Sequence, residues 1–175
     1  MTSSSINNRN HKITVLHLIT SLEVGGAQHG LLLGLPRFNP NQYEHIVCSL
    51  MDRMQMAGQF QKAGIKVHSL GLQARTDFSA ALRLRKLLKE VRPDILHTYL
   101  LHSNVLGRIV GRLTGVPIII GSERTIGQAG YWGRLLTRLT NPLTDAVEVN
   151  SRTGAIEIEN SLGIPPEKIH LVRSG

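Results

Sequence analysis

A short apolar run, Val15–Ile19, gives way to a polar turn, then to Gly25-Gly26, and then to a helical pattern with Ala27, Leu31, Gly34 and Leu35 on one face. Strand, glycine turn and helix in that order bring backbone N–H groups and the positive end of a helix dipole to one point, the arrangement that receives phosphate. The same order commits the chain to an architecture. A βα unit exposes apolar surface on both faces of its strand, and more units of the same kind are needed to cover it.

The remaining sequence supplies them. Strands are expected at Lys12–Ile19, Tyr43–Leu50, Ile65–Leu72, Asp94–Leu100, Ile118–Ile120, Asp145–Val149 and Ile169–Val172. Helices are expected at Gly26–Phe38 (its regular part ended by Pro36), Met54–Ala63, Phe78–Val91 (capped by Asp77, stopped before Pro93), Ser103–Thr114, Trp132–Leu139 and Arg152–Leu162. In the Ser103–Thr114 helix the apolar spacing predicts Leu106, Ile109, Val110 and Leu113 facing inward. Alternation at this pitch predicts an α/β fold: a Rossmann-like, open, mainly parallel sheet with helices on both faces. Ligands in such sheets bind beyond the carboxyl ends of the strands. The loops that matter are therefore Thr20–Gly26, Leu101–Ser103 and Gly121–Gly130.

Composition narrows the partners. A chain of 175 residues, 41% hydrophobic and 18% charged, fits one folded domain, here residues 12–175. Residues 1–11 form a polar tail without the apolar stretch of a secretory signal, and no run approaches the roughly 18–20 apolar residues of a membrane span. With a single cysteine, Cys48, in an apolar run, a cytoplasmic chain is expected. The net charge of +8 favours anionic partners. Aromatic residues are only 4% of the chain, which leaves little to stack bases on and argues against nucleic acid. Arg83, Arg85, Lys86, Lys89 and Arg92 share one helix, either as a solvated face or as one suited to anionic lipid.

Familiar nucleotide motifs fail. No G-x-G-x-x-G follows the first strand, and Leu31-Leu32 stands after Gly30 where a P-loop needs Lys-Ser/Thr. No G-x-S-x-G elbow and no Asp-x-Asp pair occurs.

The segments VLHLITSLEVGGAQ (15–28), GIKVHSLGL (64–72), EVRPDILHTYLLHSN (90–104), LGRIVGRLTGVPIIIGSERT (106–125) and VNSRTGAIEI…GIPPEKIHLVRSG (149–175) together resemble the N-terminal domain of the GT-B glycosyltransferases of the GT4 group (glycosyl transferases group 1). The resemblance implies an acceptor-side domain. Its partner across a cleft would be a C-terminal domain, absent from these residues, that binds a nucleotide-diphosphate sugar as co-substrate. It implies transfer to a hydroxyl of a glycan or lipid-linked acceptor with retention, no metal and no other cofactor. It also implies that Gly25-Gly26 approaches the donor diphosphate. Gln28, His102 and Ser122 are candidate substrate contacts, and Glu123 and Arg124 candidate catalytic residues at the end of the fifth strand. Many relatives carry a histidine about where Arg124 falls, so that role does not transfer. Glu159 and Glu167 imitate the spacing of the second domain's paired glutamates, but Gly163 and Pro165-Pro166 intervene. The half-enzyme reading predicts that the chain alone is inactive. The alternatives are one half of a split enzyme and a binding module without chemistry, and a basic surface would place the domain at the inner face of the membrane.

Overall fold

A computed structural model describes residues 12–73, 79–123 and 130–172. The tail, Asp77, Phe78 and Arg124 lie outside the described residues. In chain order the elements are β1 (Ile13–Ile19), α1 (Gly26–Gly34), β2 (Tyr43–Met51), α2 (Ala57–Lys62), β3 (Lys66–Leu72), α3 (Ser79–Val91), β4 (Ile95–Tyr99), α4 (Leu101–Thr114), β5 (Ile118–Ser122), α5 (Tyr131–Thr140), β6 (Ala146–Val149), α6 (Arg152–Leu162) and β7 (Ile169–Leu171). The seven strands form one sheet in the order β3-β2-β1-β4-β5-β6-β7, and every adjacent pair is parallel. The order reverses between β1 and β4, which makes the carboxyl ends of those strands the switch point where α/β sheets bind ligands.

Helices cover both faces. One face carries Leu16, Leu18, Leu96 and Ile119 against Leu84 and Leu88 of α3 and Val110 of α4. The opposite face carries Ile19, Val47 and Tyr99 against Ala27 and Leu31 of α1 and Phe60 of α2. Farther along the sheet Val147 and Val149 pack on Ile158 and Leu162 of α6. Cys48 belongs to the first core, and burial pushes its thiol up to about 12, so it is an inert apolar side chain. Local signals set the boundaries: Gly115 and Gly163 take left-handed conformations at the ends of α4 and α6, and the Ser151 hydroxyl accepts the Gly154 N–H at the start of α6.

Two expectations are corrected. First, β5 runs on to Ser122, so Gly121 and Ser122 belong to the strand and not to the loop after it. Second, α4 is turned relative to part of its apolar spacing: Val110 and Leu106 face the first core as expected, but Ile109 and Leu113 do not. Its buried residues are Ser103, Asn104, Gly107, Arg108, Val110 and Gly111, whereas Leu113 is 77% exposed and Ile109 39%. The reason is close approach. A Cβ on Gly107 would lie 2.5 Å from Thr98 Cγ2, and one on Gly111 would lie 2.8 Å from Leu96 Cδ2 and 2.9 Å from Ile119 Cδ1. Ser103, Gly107 and Gly111 form a small-residue stripe that lets the helix axis settle onto β4 and β5, and dense contact along it outweighs the burial of Leu113.

A polar seam crosses the face opposite α4. His17 Nε2 is 3.0 Å from His45 Nδ1, and His17 Nδ1 is 3.2 Å from the Tyr99 hydroxyl, which is 2.8 Å from His97 Nδ1. His97 Nε2 lies 3.1 Å from Glu148 Oε2, an electrostatic contact off the in-line direction. Neutral rings satisfy the hydrogen bonds with donation in one direction: His45 Nδ1–H to His17, His17 Nδ1–H to Tyr99, and the Tyr99 hydroxyl to His97. Burial, with the neighbouring His97 and His45, holds His17 well below its ordinary value, and burial also lowers His45.

Two outcomes follow from this packing. Gly107→Ala gains helix propensity yet is expected to lose about 1–3 kcal/mol by overpacking against Thr98, read as a lower urea midpoint. The histidine seam sets a pH dependence. The folded state keeps His17 neutral while the unfolded chain takes up a proton below about pH 6.5, so stability is full above that value and falls as pH drops, by up to about 1.4 kcal/mol per unit for this one group. Thermal melts between neutral and mildly acidic pH should show that slope, and His17→Gln should flatten it.

Candidate functional site

The switch-point crevice is built from the ends of β1, β4 and β5. After β1 the chain turns at Ser21–Gly26 and enters α1. Gly25 is the N-cap residue, and no side chain caps the first turn. The first N–H groups of α1 therefore face the crevice without a protein acceptor from a capping side chain. The two glycines do different work. A Cβ on Gly25 would lie 2.6 Å from Gln28 Oε1, so this residue must be small for Gln28 to fold beneath the turn. A Cβ on Gly26 would meet nothing within 4 Å, so its outer side is open space. Gln28 itself is buried and donates from Nε2 to the Ser21 carbonyl at 2.9 Å, which ties the two ends of the turn together.

At the end of β4, Leu100 sits at φ 71°, the left-handed region that a leucine rarely occupies, and leads into α4. Strain of this kind costs on the order of 1–3 kcal/mol and is held by surrounding packing. Here Leu100 is partly buried against the second core. The Ser103 hydroxyl meets the Thr20 hydroxyl at 3.2 Å, bridging the β1 and β4 loops. His102, on the first turn of α4, is exposed.

At the end of β5 lies a buried charge network. Arg108 is fully buried. Its Nη2 donates to Glu123 Oε1 at 2.9 Å and its Nη1 to Asn141 Oδ1 at 2.9 Å. Asn104 Nδ2 donates to the same Glu123 oxygen at 2.9 Å and to the Ser122 carbonyl at 3.3 Å. Gly121 makes room, because a Cβ there would lie 2.6 Å from Arg108 Nη2. Burial pushes the Glu123 carboxyl up and the Arg108 guanidinium down, while each charge pulls the other part of the way back.

The structure thus divides the sequence-predicted residues. Gly25, Gly26 and His102 lie at the crevice surface, whereas Gln28, Ser122 and Glu123 are buried under it. Arg124 falls outside the described residues. Thr20, Ser103, Asn104 and Arg108 were not singled out from sequence. The only sequence signals for them are the small-residue stripe and the one-turn spacing of Asn104 and Arg108. Among the described residues no group of three or more His, Cys, Asp or Glu is placed to hold a metal, and no helix is long and apolar enough to cross a membrane.

Comparison with known proteins places this geometry. Residues 13–175 match the family model described as a glycosyl transferase 4-like domain. A 44-residue stretch, 25% of this chain and 11% of the relative, is 43% identical to the UDP-Gal:alpha-D-GlcNAc-diphosphoundecaprenol alpha-1,3-galactosyltransferase of Escherichia coli. The crystal structure of Anabaena Alr3699/HepE in complex with UDP matches with a TM-score of 0.74 at 15% identity, over 93% of this chain and 44% of that one. The lipopolysaccharide outer core galactosyltransferase WaaB matches with a TM-score of 0.69 at 16% identity, over 91% of this chain and 45% of that one. At such identities the structural likeness is one of fold, and the chain spans less than half the length of either protein. Matched by the family model from β1 onward, and folded as one Rossmann-like half of a GT-B structure, the chain belongs to the glycosyl transferase 4-like family as an N-terminal domain.

Proposed function

We propose that this domain is the acceptor-side half of a glycosyltransferase that moves a sugar from a nucleotide-diphosphate donor to a hydroxyl of a glycan or lipid-linked acceptor, with retention at the anomeric carbon. The observation that carries the proposal is the start of α1. An uncapped helix N-terminus opens at the switch point, and Gly26 leaves its approach clear. Sugar transfer from such a donor builds negative charge on the departing diphosphate. Fixed N–H donors and a helix dipole stabilise that charge without reorganising. The field is worth about 0.3–1 kcal/mol at an exposed helix end and up to about 2 kcal/mol when partly buried, so it assists departure and does not supply the whole barrier reduction.

In this reading a second domain delivers the donor, and the crevice described above forms the facing wall. HepE was crystallised with UDP, and the Escherichia coli relative is named for a UDP-Gal donor and a diphosphoundecaprenol-linked acceptor. Both names support a nucleotide-sugar donor and are compatible with a lipid-linked acceptor here. Gln28 and Glu123 serve as positioning residues, one shaping the glycine turn and the other tying the end of β5 to Asn104 and Arg108 of α4. His102 and Arg124 contact substrate. The exposed basic side of α3, with Arg83, Arg85, Lys86 and Lys89, suits an anionic membrane surface at the inner face.

The test is donor use by the assembled enzyme. Gly26→Val is expected to leave the melting temperature close to that of the parent and to raise the donor KM at least tenfold. Gly25→Ala should instead lower the melting temperature by pressing on Gln28. The purified 175-residue chain should not transfer sugar from any nucleotide donor, and measurable transfer by it would refute the half-site proposal.

Glu123 separates support from chemistry. Glu123→Ala strands the buried Arg108 charge and is expected to cost about 3–5 kcal/mol in urea denaturation. A thousandfold fall in kcat with unchanged stability would make Glu123 a catalytic residue instead.

A further inference from the structure

Helix α5, YWGRLLTRLT, is the most strongly amphipathic helix of the domain, yet it faces the wrong way for a core helix. Its buried residues are Thr137 and Thr140, with Gly133 half-buried beside them. The threonine hydroxyls bond back to carbonyls of their own helix, Thr137 to Gly133 at 2.9 Å and Thr140 to Leu136 at 2.9 Å. The buried side therefore needs no apolar surface. At helical spacing Tyr131, Trp132, Leu135, Leu136 and Leu139 share one arc, which points outward except at the half-buried Leu135. Trp132 is 73% exposed, Tyr131 69% and Leu139 67%. In α3 the order is the usual one, with Leu84, Leu87 and Leu88 buried and the charges outside.

Arg134 and Arg138 flank the arc, one turn apart, and α5 contains no acidic residue. Between α5 and α6 runs a shallow groove of about 290 Å³, lined by Tyr131, Arg134, Leu135, Arg138 and Ser161. The Ser161 hydroxyl has no hydrogen-bond partner in the structure. The exposed acids of α6, Glu157 and Glu159, do not line the groove.

We propose that α5 is a docking helix for an anionic lipid bilayer, with its apolar arc in the interfacial layer and Arg134 and Arg138 on lipid phosphates. Tryptophan, tyrosine and leucine on one side, arginine on the flank and no acid is the composition that lies in the plane of a membrane interface. A second copy fits less well. A two-fold contact through this face would set Arg134 and Arg138 against their own equivalents. The net charge of +8 and the basic outer side of α3, in the same helical layer, add attraction to the same partner. Running between the parallel strands β5 and β6, α5 begins at the carboxyl end of the sheet, the end that carries the crevice. That placement serves a lipid-linked acceptor and to this extent rests on the function proposed above.

Trp132, the only tryptophan, is a built-in reporter. The full chain is titrated with vesicles of phosphatidylcholine alone, with vesicles that also contain phosphatidylglycerol, and with inorganic phosphate. Anionic vesicles should shift its emission to shorter wavelength and shield it from acrylamide, and salt should weaken both effects. Neutral vesicles and phosphate should do neither. The R134Q/R138Q pair should weaken vesicle binding at least tenfold with an unchanged melting temperature, whereas R85Q/K86Q on α3 should still give the emission shift. An unchanged Trp132 spectrum at saturating anionic lipid overturns the proposal, as does a shift produced by phosphate alone or by raising protein concentration without lipid. None of these readouts depends on sugar transfer, so the docking proposal and the functional one can fail separately.

Discussion

The ion pair between Arg108 and Glu123 is the contact on which the working end of this domain depends. A guanidinium and a carboxylate removed from water cost several kcal/mol each, and their attraction offsets that only when the remaining donors and acceptors are satisfied. Here Asn104 and Asn141 each add a hydrogen bond to the pair, Arg108 Nε and Asn104 Oδ1 stay buried without a partner among the described residues, and Asn141 passes the connection on to the Leu162 carbonyl at the end of α6. One buried charge therefore fixes the end of β5, the phase of α4 and the seats of α5 and α6. The network favours one arrangement over others more than it adds net stability, as buried polar contacts with demanding geometry tend to do.

That arrangement builds the crevice from below. Thr20 meets Ser103, the neighbouring Asn104 holds Glu123 and the Ser122 carbonyl, and Gln28 draws the glycine turn back onto Ser21. Among the described residues, the surface left open there includes backbone donors, Gly26 and the exposed His102. Backbone donors at a helix start of this kind favour negative charge brought to them. The domain spans less than half the length of the HepE and WaaB chains whose fold it shares. The crevice and the start of α5 lie at the same end of the sheet.

Much of the fold was legible before the structure. The order of strands and helices, the two-sided sheet and the position of the crevice came from period, caps and stops, all set within a few residues of chain. The site was less legible. Gly25 and Gly26 could be found as a pair, but their division of labour depends on where Gln28 folds. Glu123 could be placed at a strand end, but not paired, because Arg108 lies on another element and is seen in sequence as one more basic residue of a basic chain.

The sequence by itself therefore determined the βα alternation, the glycine turn at the start of α1 and the family, because these rest on local backbone preferences and on contiguous motifs. The tertiary structure alone decided the phase of α4 and α5 on the sheet. Apolar spacing placed Ile109 and Leu113 of α4 inward, and close packing through Gly107 and Gly111 put them outside. In α5 back-bonded threonines form the buried side and the apolar arc is left at the surface. Helix phase is settled by contact with residues distant in sequence, and no period within a single helix records that contact.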